Sequence, residues 1–431
     1  MADAAARLTS LAGELFAAPF PLRLRAWDGS ESGPPDGPVL VVRHRRALRR
    51  LLWRPGELAL ARGWVAGDLD VEGDLYTALD RLIDLGATGP PILGHRVRAA
   101  RDPRLRRAAR ELIRLGGALP PPAAPAEEVR PRGGVAHTRR RDRAAISHHY
   151  DVGNAFYELV LGPTMVYSCA YWADRAEFTL EDAQRAKLDL VCRKLGLGAG
   201  MRLLDVGCGW GSLAVHAARE YGVRVTGVTL SREQAGHARK SAAAAGLTDL
   251  IEIRVQDYRD VTDGPYDAIA SIGMAEHVGQ DRYREYARRL HGLLLPGGRL
   301  LNHQIARRPE GEGTVHRADE FIDRYVFPDG ELSPLGTTVG ALEEAGFEVR
   351  DVESIREHYG LTLRRWVAAL EDEWERATAL TSPGRARVWR LYMAASALAF
   401  ERNRIGVNQI LAVRTPPDGG SGLPLRTRTW N

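Results

Sequence analysis

Beyond residue 200, short apolar runs alternate with longer segments in which apolar residues recur with helical spacing. The apolar runs read MRLLDVG, VRVTGVTL, IEIRV, YDAIASI and RLLNHQI, and helical periodicity marks residues 232–245 and 282–294. Short apolar runs bounded by turn residues are typical of buried strands, whereas the longer period is typical of helices. The alternation predicts an α/β fold with a doubly wound, mostly parallel sheet that is covered by helices.

Two later apolar runs, FEVRDVESI and VNQILAV, follow helical segments and extend the predicted sheet to seven strands. We expect the last of these strands to run antiparallel at an edge of the sheet. The sequence contains no internal repeat, so the alternation describes one sheet rather than an array of similar units.

The segment GALPPPAAPAEEVRPRGG separates the α/β region from the N-terminal part of the chain. Its proline and glycine residues disfavour helices and strand pairing, as is typical of a linker. We therefore expect an accessory domain over residues 1–115, a basic linker over residues 116–144 and the main α/β domain over residues 145–431.

Composition places the chain among globular proteins. It has 431 residues, of which 44% are hydrophobic and 27% charged, and it contains no apolar run long enough to span a membrane. The N-terminus lacks the basic and then apolar order of a secretory signal, and the three cysteines show neither a disulfide framework nor zinc-site spacing. These features favour a cytoplasmic protein without a metal site.

Basic charge is concentrated before the α/β region. The runs HRVRAARDPRLRRAARELIR and HTRRRDR carry arginines, and only three of the 60 basic residues in the chain are lysines, Lys187, Lys194 and Lys240. Such a patch suits anionic lipid headgroups or nucleic-acid phosphates, and a solvated helix face is the alternative interpretation. Because no aromatic interleaving or nucleic-acid motif accompanies the patch, we expect no nucleic-acid partner.

The stretch RLLDVGCGWGSL combines an apolar strand with a glycine-rich turn. Its glycines, Gly207, Gly209 and Gly211, do not have the spacing of the dinucleotide fingerprint, which would place a third glycine at Ser212. A dinucleotide site also needs an acidic residue at the end of the second strand, where the sequence has VTLSREQ. Glycines that merely let a strand and a helix pack closely are the alternative interpretation.

Other residues assign the turn to a different nucleotide. Asp205 precedes the turn and can hold a cationic methionine amine, and Gln256 and Asp257 follow the third strand, where an adenine ring would lie. This layout is typical of a class I S-adenosylmethionine (SAM)-dependent methyltransferase with a Rossmann-like sheet.

Five further segments carry a resemblance to a known family. They read ISHHYDVGNAFYELVLGP, TMVYSCAYW, SIGMAEHVG, LNHQI and FIDRYVFPDGEL. In this order they resemble the cyclopropane fatty acid synthase family of SAM-dependent methyltransferases over residues 145–414. The N-terminal GELALARGWVAGDLDVEGDLY is similar to the accessory domain of the long, phospholipid-acting members. The resemblance implies a lipid-presenting accessory domain, acyl-chain-binding insertions and peripheral association with the inner membrane surface.

The family's chemistry is methyl transfer from SAM to a cis double bond of an acyl chain. The product is a carbocation, so the site must exclude water and supply a base without a nucleophile. The resemblance implies that the base is a bicarbonate ion, held by Cys169, Glu276, His303, the Ile305 backbone and Tyr325. A glutamate beside an anion must be protonated or share a proton with it. Taken singly, each of these side chains also suits ordinary packing.

The resemblance also implies a set of residues that bind SAM. Tyr150 and Tyr167 are expected to lie over its sulfonium, where an aromatic face stabilises a cation. His148 and His277 are interpreted as structural. The complete cofactor-binding set is Tyr150, Tyr167, Ser168, Leu204, Asp205, Gly207, Gly209, Gly211, Thr229, Leu230, Ser231, Gln234, Gln256 and Asp257.

Two departures from the family pattern concern the product. The chain reads HQIA where many members read H-T-I-G, and Ser396 replaces a common cysteine. Gln304 is expected to lie beside the base and to influence which proton is lost. The segments LLNHQI, FIDRYVFPDGEL and LYMAASALAFE resemble the actinobacterial branch that makes 10-methylene chains, the precursors of tuberculostearic acid, so we favour that product over a cyclopropane. A methylene product would need a flavin- or NADPH-dependent reductase as a later partner.

Other classes of function stay open at this stage. A lipid-binding protein with an inactive methyltransferase fold would lack SAM binding, and a small-molecule methyltransferase would not need the anion-binding set. The apolar segments RRWVAALEDEW and RLYMAASALAF are expected either to form tunnel walls or to be plain core. The sequence leaves the formation of a homo-oligomer open.

Overall fold

The structure of the protein is a computed structural model. It describes residues 3–88, 103–129, 138–139, 141–142, 152–309, 319–426, 428 and 430. The chain divides into two compact units. The first comprises residues 1–131, 319–326 and 382–398, and the second comprises residues 132–318, 327–381 and 399–431. The first unit therefore includes two segments that lie far from it along the sequence. The domain boundaries expected from the sequence stay a prediction.

A small mixed sheet organises the first unit. Its strands are β1 (Arg23–Arg25), β2 (Glu31–Ser32), β3 (Val39–Val42) and β4 (Leu69–Glu72), in the order β2-β1-β3-β4. The helices of the same region are α1 (Ala4–Phe16), α2 (Arg46–Trp53), α3 (Glu57–Val65), α4 (Leu75–Thr88) and α5 (Pro103–Leu112). Asp68 is fully buried ahead of β4, and Arg46 and Arg50 neutralise it at 2.9 and 3.4 Å. Pairing of this kind makes a buried carboxylate tolerable.

The second unit is built on a seven-stranded sheet within the described residues. Its strands are β5 (Arg202–Val206), β6 (Arg224–Thr229), β7 (Ile251–Val255), β8 (Tyr266–Ile272), β9 (Leu294–Arg307), β10 (Glu348–Ser354) and β11 (Ile405–Val413). The order is β10-β11-β9-β8-β5-β6-β7. The pairs among β5 to β9 are parallel, and β11 is antiparallel to both of its neighbours. The predicted α/β fold with a mostly parallel seven-stranded sheet is confirmed.

Helices cover both faces of this sheet. The helices of the second unit are α6 (Asn154–Leu161), α7 (Leu180–Leu195), α8 (Ser212–Tyr221), α9 (Arg232–Ala244), α10 (Tyr283–Leu293), α12 (Leu335–Glu344), α13 (Arg356–Asp372) and α14 (Trp374–Leu380). Helix α11 (Glu320–Tyr325) and most of α15 (Pro383–Glu401) belong to the first unit. One buried apolar cluster joins the sheet to α7, α8 and α9, and another joins it to α10 and α12. The sheet is therefore doubly wound, as the alternation of strands and helices predicted.

The position of β11 corrects one prediction. The strand runs antiparallel as expected, but it lies between β9 and β10 and not at an edge. Seven consecutive residues of β11, from Val407 to Val413, are buried, whereas β10 carries EVRDVES and is half-exposed. A continuous apolar strand gains most when both of its edges are paired, and a charged strand tolerates an open edge.

Local signals fix the helices that lie next to the carboxyl ends of the strands. Helix α7 begins with a capping box between Thr179 and Asp182 and ends at Gly196. Ser231 caps the N-terminus of α9, and its hydroxyl accepts a hydrogen bond from the Gln234 amide. Such caps satisfy the free amide groups of a first helical turn. Because β5, β6, β7 and β8 run parallel, the loops that follow them meet at one edge of the sheet. Ligands bind at this edge in folds of this type.

No helix in the described part of the chain is both long enough and apolar enough to cross a lipid bilayer.

Candidate active site

A cavity opens at the carboxyl ends of the parallel strands in the second unit. Its walls come from the loops after β5 to β8, from the segment before α7 and from α7 itself. Among the residues predicted to bind the nucleotide, the cavity is lined by Tyr167, Ser168, Asp205, Gly207, Gly209, Thr229, Leu230, Gln234, Gln256 and Asp257. Tyr150 and His148 lie outside the described residues. Ten of the fourteen residues predicted to bind SAM therefore line the cavity.

The three glycines of the turn have different roles. Gly207 and Gly209 adopt φ angles of 78° and 54°, and both line the cavity. Gly211 precedes α8, and a Cβ atom there would lie only 2.8 Å from the Ala238 Cβ. The first two glycines leave backbone open to a ligand, whereas Gly211 allows α8 and α9 to pack closely. Leu204 is fully buried behind the turn and does not line the cavity.

Asp205 presents a buried carboxylate to the cavity. Within the described structure its Oδ2 atom is buried without a hydrogen-bond partner. Burial raises the pKa of Asp205 to about 7, although the nearby Lys187 cation opposes this shift. A buried carboxylate oxygen without a partner is costly unless a ligand completes it. The amine of SAM would supply the missing positive charge, so Asp205 fits its predicted partner.

Lys187 is a cavity residue that sequence reasoning missed. Its side chain is buried, and Nζ donates a hydrogen bond to the Ser168 hydroxyl at 2.9 Å. Burial lowers the pKa of Lys187 to about 8, against the opposing influence of Cys169 and Asp205. The sequence did carry a signal for Lys187, because lysine is scarce in this arginine-rich chain. The compact ammonium group of lysine suits a buried position better than the larger guanidinium group of arginine.

The far end of the cavity is held by hydrogen bonds between side chains. The Thr229 hydroxyl donates to Gln234 Oε1 at 2.9 Å. Asp257 accepts from Arg259 Nε at 2.9 Å, and Arg259 also pairs with Asp142. Burial raises the pKa of Asp257, but the hydrogen bonds from Arg259 outweigh this and hold it below its usual value. Asp257 is therefore an ionised, rigid residue beside the expected adenine position.

Glu276 lies in the turn that follows β8. Its Oε1 atom accepts a hydrogen bond from the Ile305 amide at 2.7 Å, while Oε2 is buried with no partner among the described residues. Burial raises the pKa of Glu276 to about 7. The amide of Ile305 was predicted to bind the bicarbonate ion directly, and here it orients the glutamate. The free oxygen of Glu276 is consequently the atom available to an anion or to a shared proton.

Two further predicted residues are buried and uncharged. Burial raises the pKa of the Cys169 thiol well above its ordinary value, and Sγ lies 3.2 Å from the Ala170 carbonyl oxygen. Burial and the cations Lys187 and Lys194 lower the pKa of His303 to about 3. A neutral thiol and a neutral imidazole offer hydrogen bonds without a strong nucleophile.

Tyr325 lies in the first unit, on α11. Its hydroxyl donates a hydrogen bond to Glu128 at 3.0 Å, and Arg62 pairs with the same carboxylate. Glu128 comes from the proline-rich segment that was interpreted as a linker. The segment therefore has a structural partner, which its composition did not predict.

The Gln304 side chain points away from the face of β9 that carries His303, whereas it was expected to lie beside the base. Successive side chains of β9 point to opposite faces of the sheet. Gln304 accepts from the Asn302 amide at 2.7 Å and donates to the Thr338 hydroxyl at 2.8 Å, and all three side chains are buried. It therefore belongs to a polar network on the face opposite His303.

Two residues with aromatic rings also border the cavity. His277, interpreted from the sequence as structural, lines it, with its ring 5.7 Å from that of Phe327. The Tyr167 ring lies 5.4 Å from that of the fully buried Trp366 on α13. Trp366 is thus core that supports a wall of the cavity.

Comparisons with known proteins agree with this geometry. Residues 137–410 match the family described as mycolic acid cyclopropane synthetase. The chain is 42% identical over 428 residues to the probable fatty acid methyltransferase Rv3720 of Mycobacterium tuberculosis, covering 96% of each chain. It is 38% identical over 271 residues to the cyclopropane-fatty-acyl-phospholipid synthase of Escherichia coli K12, covering 63% of this chain and 68% of the relative.

A solved structure is also similar to the chain. The mycolic acid cyclopropane synthase CmaA1, complexed with SAH and CTAB, superposes with a TM-score of 0.59 at 35% identity. The match covers 63% of this chain and 98% of CmaA1. The similarity to Rv3720, in contrast, extends over nearly the whole chain and so includes the N-terminal region.

Proposed function

The chain belongs to the mycolic acid cyclopropane synthetase family and is a SAM-dependent methyltransferase, and from this we propose that it methylates the cis double bond of an oleoyl-type acyl chain in a membrane phospholipid. The names of its relatives support this substrate class, since one is a probable fatty acid methyltransferase and another a synthase acting on fatty-acyl phospholipid.

The observation that carries the proposal is the set of polar but non-nucleophilic groups in the second unit. An alkene that accepts a methyl group becomes a carbocation, which a thiolate or a free imidazole would trap. Burial raises the pKa of the Cys169 thiol well above its ordinary value and so keeps it protonated, and Nδ1 of the buried His303 lies 3.4 Å from the side-chain nitrogen of Gln409. Glu276 carries the one predicted carboxylate, and its pKa of about 7 suits proton transfer near neutral pH.

The same residues fit a bicarbonate ion. Glu276 Oε2 is buried and without a described partner, so in its protonated form it can donate a hydrogen bond to an anion. The Ile305 amide holds the other oxygen in place. A bicarbonate bound there would supply the proton acceptor for the last step. Cys169 and His303, which belong to the same unit, are proposed to complete its environment.

For the product we propose a 10-methylene chain. The methyl carbon leaves the sulfonium sulfur of SAM, which departs as S-adenosylhomocysteine. The same carbon bonds to one alkene carbon, and the cation forms at the other. A hydride then shifts from the methylated carbon to the cationic one, and loss of a proton from the methyl group forms the exocyclic double bond. Loss of that proton with ring closure and no hydride shift would instead give a cyclopropane. The sequence segments that resemble the methylene-forming branch support the first outcome, and a flavin- or NADPH-dependent reductase would then act on the product.

The test is gas chromatography with mass spectrometry of fatty acids from a host that receives oleate and expresses this chain. We expect a new acid heavier by one CH2 that hydrogenates cleanly to a methyl branch. An acid that hydrogenates by ring opening would establish the cyclopropane alternative. The Glu276→Gln variant, expressed at the same level, is the control. No new acid, together with no turnover by the purified enzyme on phospholipid and SAM, would contradict the proposal and favour a lipid-binding protein.

We also propose that the first unit contacts the membrane surface. Helix α2 reads RALRRLLW and ends at Trp53, which is 58% exposed, and the Trp53 indole donates to the carbonyl of Leu119, itself 57% exposed. Exposed tryptophan and leucine near the exposed Arg45, which precedes α2, suit a bilayer with anionic headgroups. The basic runs noted in the sequence lie partly outside the described residues, so the proposal rests on α2 and the Leu119 segment.

The double substitution Trp53→Ser and Leu119→Ser should weaken binding to phosphatidylglycerol-containing vesicles. Each side chain inserted into the interface contributes on the order of 1 kcal/mol, so the loss for the pair should be about 30-fold. Vesicle sedimentation measures the affinity. Leu361→Ser is the matched control, because Leu361 is 49% exposed in the second unit. Equal losses in both variants, or binding that is insensitive to salt, would contradict the proposed surface.

A further inference from the structure

Three side chains form a straight row across the antiparallel part of the large sheet. Glu353 on β10 is directly opposite Gln409 on β11, and Gln409 is directly opposite His303 on β9. Directly opposed residues share a face of the sheet, so their side chains interact. The row connects the edge strand with the strand that carries His303 and Ile305.

Lys194 of α7 fixes the orientation of the middle residue. Its ammonium group is fully buried, donates a hydrogen bond to Gln409 Oε1 at 2.8 Å and forms an ion pair with Glu353. The Tyr171 hydroxyl donates to the other carboxylate oxygen of Glu353 at 3.3 Å. Because an ammonium group only donates, the oxygen of the Gln409 amide must face Lys194.

The amide orientation determines the tautomer of His303. With Oε1 on Lys194, the Nε2 group of Gln409 is turned toward the imidazole, and it lies 3.4 Å from His303 Nδ1. An amide NH2 group can only donate, so Nδ1 must accept. In a neutral imidazole the hydrogen then resides on Nε2. His303 therefore presents an N–H donor, and no basic lone pair, at its other ring nitrogen.

We propose that Lys194 and Gln409 are positioning residues that lock His303 in its Nε2–H tautomer, so that His303 donates a hydrogen bond to an oxyanion at the reaction centre and does not act as the base. The proposal rests on the proposed function and assigns the role of a donor to the predicted anion ligand. Glu353 and Tyr171 hold Lys194 in place and so complete the row at the sheet edge.

The tautomer can be measured without turnover. In the full-length enzyme labelled with 15N in the histidine rings, the long-range 1H–15N spectrum distinguishes protonated from unprotonated ring nitrogens. His303→Asn identifies the signals of His303 by their loss among those of the twelve histidines. We expect Nδ1 unprotonated and Nε2 protonated in the wild type. A protonated Nδ1 would overturn the proposal, whether or not the enzyme methylates lipid.

Gln409→Glu tests the functional consequence. A carboxylate opposite Nδ1 would accept a hydrogen bond, so the ring should change to the Nδ1–H tautomer. We expect kcat to fall on the order of 100-fold or more, with the KM for SAM unchanged. A histidine in the wrong tautomer lowers the rate of the chemical step, whereas the substrates still bind. Lys194→Met, which releases the amide, should populate both tautomers and lower kcat less.

The matched control is Asn408→Asp. Asn408 is the buried neighbour of Gln409 on β11 and points to the opposite face, so the change adds the same charge without facing His303. It should keep the wild-type tautomer. A Gln409→Glu enzyme with the changed tautomer and wild-type kcat would overturn the proposal. If the wild type shows the expected tautomer but methylates no acyl chain, the proposed function fails while the tautomer assignment stands.

Discussion

Glu276→Gln should lower the turnover number for methyl transfer about 1,000-fold while leaving the affinity for SAM near that of the wild type. The carboxylate has one oxygen held by the Ile305 amide and the other buried without a described partner. Glutamine keeps the first hydrogen bond but can neither release nor share a proton. Removal of a positioned acid or base costs about 100- to 10,000-fold. Single-turnover kinetics with phospholipid vesicles measure the loss.

The Glu276→Gln substitution should also stabilise the protein at alkaline pH. A gain in stability together with a loss of activity would show that Glu276 serves catalysis and not the fold. An unfolded glutamate loses its proton near its ordinary pKa of 4.5, but burial holds the pKa of folded Glu276 at about 7. Between these two values the unfolded state releases a proton that the folded state keeps, so the wild type loses stability as pH rises. Above pH 7 the accumulated cost is up to about 3 kcal/mol.

Urea unfolding at about pH 5 and pH 8 tests this dependence. The Glu276→Gln protein should match the wild type most closely at the lower pH and exceed it at the higher one. Glu285→Gln is the control, because that side chain is 61% exposed on α10. A Glu276→Gln enzyme that is both inactive and less stable at pH 8 would indicate that the carboxylate serves the fold.

The strands of the sheet were predictable from the sequence because they are short apolar runs. Such runs are buried whichever strands they pair with. The edge assignment failed because it depends on which strands pair across the sheet, and pairing is a long-range property. The buried run VNQILAV carried a signal for an interior strand that outweighs its place near the end of the chain. Composition along a strand is thus a better guide to its place in the sheet than chain order.

The cavity residues were predictable to the extent that the backbone itself forms the site. Gly207 and Gly209 line the cavity because their φ angles are allowed for glycine. Lys187 escaped notice because a lysine on a helix is ordinarily solvated, and its burial appears only once α7 is packed against the sheet. Likewise, no sequence pattern reveals that the Ile305 amide holds Glu276, since any residue offers the same N–H group.

Asp205→Asn should weaken the binding of S-adenosylhomocysteine about 100-fold at pH 7.5. The ligand carries an amine like that of SAM, and we expect this cation to pair with the buried Oδ2 atom that has no partner within the described residues. A charge-assisted hydrogen bond of this kind contributes about 1.5–3 kcal/mol, which corresponds to a 10- to 150-fold change in affinity. Isothermal titration calorimetry measures it, with the exposed Asp249→Asn as the control.

The pH dependence of binding identifies Asp205 as the group responsible. Its pKa is about 7 in the free protein, because burial raises it more than the Lys187 cation lowers it. A cationic ligand requires the ionised form, so the affinity should fall by up to about tenfold for each pH unit below 7. Binding at pH 6 should then release a proton, which titrations in buffers of different ionisation enthalpy detect. The Asp205→Asn protein should bind with no such release, and a wild-type affinity that is constant between about pH 6 and 7.5 would contradict this role for Asp205.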